Sequence, residues 1–258
     1  QGYQILFELA TSPDSRDLLD NQQLQIQRMI SRGVDGLMIH TRGDEGESER
    51  ILKAVGSRVP VVTFSYPVEG INSVVLDRIS GFYETTEHLI RLGHRKIGFI
   101  GPSWNDDAQT STKGRGYYQA MQNYGLTPDW IPMYGRIKME DGHVLGLKLG
   151  RQSGCPTALV CRTDYTAIGV CRGLQEAGVQ VPEDVAVVGY GNIDLGAYFT
   201  PVLTTQAPPQ DAICQTVIEL LMNQLKGEHE VRQVTLKSKL VVRGSCGQKI
   251  HEKTLEKA

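Results

Sequence analysis

The chain has 258 residues, 40% of them hydrophobic, with 27 basic and 29 acidic side chains and a net charge of −2. That is enough apolar material for one large domain or two medium ones, and the evenly mixed charge offers no basic stripe of the kind a nucleic-acid-binding surface needs. The apolar runs fall far short of the roughly 20 residues that cross a bilayer, and no charged-then-apolar leader opens the sequence.

Taken in chain order, the pattern alternates strand and helix. Residues 4–10 form an apolar run that predicts a strand, and Pro13 stiffens a turn over 11–14. Leu19, Ile26, Met29 and Ile30 recur at helical spacing up to Arg32, and Gly33 suits a helix C-terminus. A strand over 36–40 follows, then a helix over 48–57 capped by Ser48, and strands over 61–64 and 72–76. Phe82, Leu89 and Ile90 mark the inner face of a helix over 80–92 that Gly93 ends, and 96–101 is a strand.

The second half repeats the theme. Helices are predicted over 113–124, 141–152, 164–177 and 211–226, and strands over 133–137, 157–161, 185–190, 231–237 and 240–242. Residues 247–258 are polar and read as a tail. Alternation of this kind means parallel sheets covered by helices on both faces. A dozen strands exceeds what a twisted open sheet holds, so the expected fold is α/β with two doubly wound lobes. In such lobes ligands bind outside the carboxyl ends of the strands.

Motifs for catalysis are missing. The six histidines make no HExxH or other metal-ligand spacing, and neither a GxSxG elbow nor a GxxxxGK[ST] phosphate loop occurs. Gly189-Tyr190-Gly191 is a fragment of a dinucleotide fingerprint without its third glycine. The five cysteines form no CxxC pair and read as reduced, mostly buried thiols of a cytoplasmic protein. No enzyme activity, metal or cofactor is expected.

Several stretches carry a family signature: residues 86–101 (TEHLIRLGHRKIGFIG), 181–190 (VPEDVAVVGY) followed by 200–205 (TPVLTT), 239–245 (KLVVRGS), and 32–39 (RGVDGLMI). In order and separation they resemble the cores of the lactose/galactose-repressor family of transcription regulators. The resemblance covers residues 1–246. It implies a type I periplasmic-binding-protein-like fold, one lobe from 1–76 plus 210–237, the other from 77–209 plus 238–246, joined by a three-stranded hinge. It also implies that a small-molecule effector, a sugar or sugar derivative, binds between the lobes and alters operator binding. Operator DNA would be contacted through an N-terminal head that, with the family's first strand and helix, precedes the residues seen here. The expected assembly is a homodimer, with helix 164–177 as an interface element, and no membrane is involved. The alternative is a periplasmic-type solute-binding protein serving a sugar transporter.

The resemblance also assigns a ligand site. Lys113 stands where sugar-binding relatives have an arginine, Thr163 and Asp164 where they have Asn-Asp, and Gly191 with Asn192 where an aspartate follows the aromatic Tyr190. In the first lobe Ser65 and Tyr66 end the strand that carries an aspartate in relatives. Tyr66, Trp104, Tyr190 and Phe199 are candidates for stacking on a ring. Asp164 has a second reading, as the cap of its own helix.

Overall fold

The computed structural model describes residues 3–9, 15–56, 59–101, 108–133 and 138–247. The chain divides into two compact units, Gln1–Leu76 with Gln210–Leu236, and Asp77–Pro209 with Lys237–Ala258.

The first unit contains α1 (Ser15–Ser31), β1 (Leu37–His40), α2 (Glu47–Val55), β2 (Val61–Ser65) and β3 (Asn72–Asp77). The second unit follows with α3 (Arg78–Arg91), β4 (Ile97–Gly101), α4 (Ala108–Asn123), β5 (Asp129–Pro132), α5 (Met139–Arg151), β6 (Ala158–Cys161), α6 (Asp164–Glu176), β7 (Ala186–Tyr190), α7 (Asp194–Tyr198) and β8 (Thr204–Ala207). The chain then returns to the first unit as α8 (Gln210–Leu225) and β9 (Gln233–Lys237), and ends in the second with β10 (Lys239–Val241) and a single 3-10 turn, Gly244–Cys246.

The first sheet has the order β1-β2-β3-β9. Its two faces are covered separately. Leu37, Ile39 and Val61 pack with Ile26 of α1 and Ile51, Ala54 and Val55 of α2, while Val62 and Val74 pack with Val217 and Leu220 of α8. The second sheet has the order β10-β8-β7-β6-β4-β5, parallel except for β10, which runs antiparallel to β8. Alternate strand residues enter opposite cores, as a period of two requires. Ala158 and Val160 of β6 face Phe82, Leu89 and Tyr117 of α3 and α4, whereas Leu159 and Cys161 face Ile168, Cys171 and Leu174 of α6. Each fully buried large apolar side chain contributes roughly 1.5–3 kcal/mol, so burial on both faces explains the unbroken apolar runs in β4, β6 and β7. The expected α/β fold with two parallel-sheet lobes is therefore present.

Helices α5 and α6 meet backbone to backbone. A Cβ on Gly169 would stand 2.1 Å from the Met139 carbonyl oxygen, one on Gly173 2.2 Å from that of His143, and one on Gly146 2.3 Å from that of Val170. Enclosed this way, α6 has Tyr165, Arg172 and Glu176 as its exposed side chains.

Several elements differ from the sequence expectation. Residues 3–9 take no regular structure, and Ile5 (81% exposed) and Phe7 (80%) lie open to solvent. Apolar composition alone does not make a strand; cross-strand pairing does, and no described strand pairs with this segment. Strand β5, whose Asp129–Pro132 pair with Gly98–Gly101, lies before the strand expected at 133–137, most of which falls outside the described residues. Pro132 fits there because β5 is an edge strand, where proline is tolerated. The cap of helix α2 lies two residues earlier than expected, at Gly46 rather than Ser48. Strand β8 and helix α7 were not anticipated at all. The predicted turn at 11–14, Trp104, residues 134–137 and most of the tail lie outside the described residues.

Candidate functional site

In the second unit the predicted residues gather where β6 and β7 end. Lys113 projects from α4, Tyr190 is the last residue of β7, and Arg162 directly follows β6. The Lys113 ammonium donates to the Arg162 carbonyl oxygen at 2.9 Å and lies 4.3 Å from the centre of the Tyr190 ring. Phe82 of α3 stacks on Tyr190, with centroids 5.3 Å apart and planes at 25°, and the same ammonium is 5.8 Å from the Phe82 ring. A cation on an aromatic face is held by the ring's quadrupole. The result is a pre-positioned positive charge on an aromatic platform at the carboxyl edge of the sheet, where α/β folds bind their ligands.

Thr163 and Asp164 divide two tasks. Thr163 is the cap of α6, its hydroxyl oxygen accepting from the Thr166 N–H at 3.2 Å. Asp164 therefore does not cap its own helix. Its carboxylate, 1% exposed, turns inward: Oδ1 accepts from the Thr205 hydroxyl at 2.7 Å and Oδ2 from the Ile193 N–H at 2.9 Å. Burial raises the Asp164 pKa above its ordinary value, against the opposing pull of the bonds from Thr205 and the loop N–H groups and of the Arg243 charge. Gly189 makes room for this carboxylate, since a Cβ there would stand 2.2 Å from Oδ1.

The loop after β7 is bent sharply. Gly191 has φ 132° and Asn192 φ 52°. The Asn192 N–H donates to the Thr205 hydroxyl at 3.2 Å, and its side-chain Oδ1 accepts from Arg243 Nη2 at 2.7 Å. Arg243 also donates through Nη1 to the Leu203 carbonyl and through its N–H to the Thr204 hydroxyl, both at 2.9 Å.

In the first unit Ser65 ends β2 with φ 97°, and Tyr66 follows. Thr41 anchors this end: its hydroxyl oxygen accepts from the Tyr66 N–H at 2.8 Å and lies 2.7 Å from the Tyr66 carbonyl oxygen and 2.9 Å from that of Phe64, the two acceptors open to its one hydrogen. Beside it, the buried Glu47 carboxylate accepts from the N–H groups of Arg42 (2.8 Å) and Gly43 (2.7 Å), fixing the loop after β1. Gly43 backs onto the Tyr66 ring so closely that a Cβ would be 2.6 Å away. Ser65 and Asn192, both predicted site residues, are the non-glycine residues with positive φ among those described. Strained backbone of this kind is tolerated where the surroundings over-determine it, often at ligand sites.

Phe199, a stacking candidate, instead packs against the core of the second unit. Sequence reasoning missed Phe82, Thr41, Thr205 and Arg243 as parts of these edges. Thr205 and Arg243 lie inside the family-signature stretches 200–205 and 239–245. Among the described residues no group of three potential ligands could hold a metal ion, and no helix is long and apolar enough to cross a membrane. Burial pushes the Cys171 thiol up to about 12 and that of Cys161 well above the ordinary range, so both act as small core hydrophobes.

The chain is similar to several known proteins. Residues 86–246 match the family described as the periplasmic binding protein-like domain. The HTH-type transcriptional repressor PurR of Aliivibrio salmonicida is 32% identical over 91% of this chain and 69% of its own length. A LacI-family regulatory protein from Chloroflexus aggregans is 27% identical, covering 88% of this chain and 82% of its own, with a TM-score of 0.76. A LacI-family sugar-binding transcriptional regulator from Escherichia coli, solved as a complex with phosphate, is 25% identical with the same coverages and a TM-score of 0.73. These relatives are transcription regulators rather than transporter components, which sets the transporter alternative aside. With its two parallel-sheet units and this match over most of its length, the chain belongs to the LacI family, as the effector-sensing, periplasmic-binding-protein-like core of a transcription repressor.

Proposed function

We propose that the effector is carbohydrate-derived and carries more than a plain neutral hexose: a negative charge, a second ring or a bulky substituent. It engages the carboxyl edge of the second sheet through Lys113, Tyr190, Gly191 and Asn192, and its binding changes operator affinity without any chemical step. The observation that carries the reading is the Lys113 ammonium, seated 4.3 Å from the Tyr190 ring centre at the end of β7. A lysine is a point charge on a flexible stem, suited to an anionic group and poor at gripping two adjacent neutral hydroxyls. Gly191 adds no side chain and leaves room. The sugar-binding E. coli relative was solved as a complex with an anion, phosphate.

Thermal shift and titration calorimetry with glucose, cellobiose and glucose 6-phosphate test it. A ligand at 100 times its Kd stabilises the native state by about 2.7 kcal/mol. The phosphorylated or larger sugar should raise the melting temperature, and Lys113→Ala should weaken an anionic ligand by roughly ten-fold or more, the loss of one charge-assisted hydrogen bond. Tight binding of unmodified glucose that Lys113→Ala leaves unchanged would refute the reading.

The working assembly is a homodimer in a cytoplasmic setting. Leu195 (45% exposed) and Tyr198 (86%) stand one turn apart on α7, with Val202 (41%) just beyond. Exposed apolar side chains so close together favour burial against another surface. Since α6 is enclosed by α5 and the sheet, α7 is the better interface element.

A further inference from the structure

We infer that Asp164 is a positioning residue and makes no ligand contact: with Thr205 as its relay, it holds the Gly191–Asn192–Ile193 loop in the shape the effector meets. The observations are independent of one another. The carboxylate is 1% exposed, so it does not face a solvent-filled site. Each oxygen is engaged from a different element: Oδ1 by the hydroxyl of Thr205 on β8, Oδ2 by the N–H of Ile193. The Thr205 hydroxyl is used twice, donating to Asp164 and accepting the Asn192 N–H, so two successive loop N–H groups end on the same carboxylate, one directly and one through the relay. Hydrogen bonds linked in series through a charged acceptor strengthen one another.

The loop needs such holding. Gly191 at φ 132° and Asn192 at φ 52° are two successive residues in the left-handed half of conformational space, and an asparagine there costs energy unless its surroundings fix it. Arg243 closes the arrangement from the far side, through Nη2 on the Asn192 side chain. Side chains thus tie the loop to α6, β8 and the segment after β10, beside one backbone bond, from the Gly191 N–H to the Gln206 carbonyl of β8 at 3.0 Å. Tyr190, which carries the Lys113 ammonium on its ring, is the residue immediately before it.

That the loop meets an effector rests on the function proposed above; that Asp164 holds it does not. Amide hydrogen exchange, read residue by residue on the whole chain, separates the two. In Asp164→Asn one acceptor oxygen becomes an NH2 group facing a donor, and in Thr205→Val the relay is removed with little change in shape. Both variants should speed exchange at Asn192 and Ile193 by roughly ten-fold or more, the loss expected of a hydrogen bond to a charged acceptor. Amides of β4 should stay as protected as in the parent. Thr205→Ser, which keeps the hydroxyl, should restore protection at both loop positions, a rescue that a packing role for the threonine methyl would not give.

Unchanged exchange at Asn192 and Ile193 in both disruptive variants overturns the proposal. So does a uniform rise throughout the second unit, or a failure of Thr205→Ser to rescue. Binding of glucose 6-phosphate and cellobiose is measured on the same proteins. A positioning role predicts that Thr205→Val weakens whichever of them the parent binds as much as Asp164→Asn does; a loss confined to Asp164→Asn would mark direct contact and overturn the proposal. If neither sugar binds the parent, the carbohydrate reading fails while the exchange result still decides the role of Asp164.

Discussion

At the scale of single residues, His88 and His94 give the second unit a pH-sensitive edge. Burial depresses both below the ordinary 6.5; for His88 the nearby Arg91 and His94 push the same way and Glu84 opposes them. The buried Nε2 of His88 meets no hydrogen-bond partner among the described residues, so its neutral form is the one the site accommodates. A histidine lowered in the folded state leaves the proton to the unfolded chain first. Stability from this pair is therefore complete above 6.5 and is lost as the pH falls from 6.5 through the lower folded values. Asp164 has the opposite sign: raised in the folded state, it makes the protein less stable as pH climbs from 3.8 through its folded value. Melting temperatures between pH 5 and 8 should fall on the acid side, and His88→Gln should flatten that fall. An unchanged slope in the variant would put the titrating group elsewhere. The inward role of Asp164 was not legible in sequence, because Ile193 and Thr205 are 29 and 41 residues away along the chain. Lys113 and Tyr190, by contrast, are assigned through the family resemblance, at positions that match the relatives' motifs.

At the scale of elements, the contact between α5 and α6 depends on glycines spaced four apart. Gly142 and Gly146 face Thr166 and Val170, and Gly169 and Gly173 face Met139 and His143, in each case with backbone atoms inside the reach of a methyl group. A helix-interior glycine normally gains up to about 1 kcal/mol on replacement by alanine. Here the added carbon has nowhere to go, because the obstacle is backbone. Gly169→Ala should destabilise the second unit by roughly 1–3 kcal/mol, the cost of overpacking, seen as a lower urea midpoint with an unchanged slope. A gain in stability would mean that the helices can part cheaply. Most elements were legible because the parallel sheets bury both faces and their strands read as apolar runs between glycine stops. Strand β8 was not, since Thr204-Thr205-Gln206 is polar; its side chains are buried through hydrogen bonds such as those of Gln206 to Glu84 and Ser238. Helix α7 is five residues long, too short for a periodic pattern to show.

At the scale of the whole molecule, the proposed dimer makes a direct prediction. Replacing Leu195 and Tyr198 together by aspartate should turn a dimeric species into a monomer by light scattering, with the circular dichroism of the fold retained, since both side chains point outward. A variant that keeps the dimer mass would shift the interface to another face. The division of the chain has a further consequence, for synthesis. The first unit is made from two separated stretches, with all of Asp77–Pro209 between them. Val62 and Val74 find their cover, Val217 and Leu220 of α8, only after that insert has been translated. At roughly 5–20 residues per second the wait is on the order of ten seconds, long enough for the inserted unit to fold first. Until α8 emerges from the ribosome, the nascent first sheet presents one bare apolar face. During that interval apolar surface that the finished unit buries is open to aggregation.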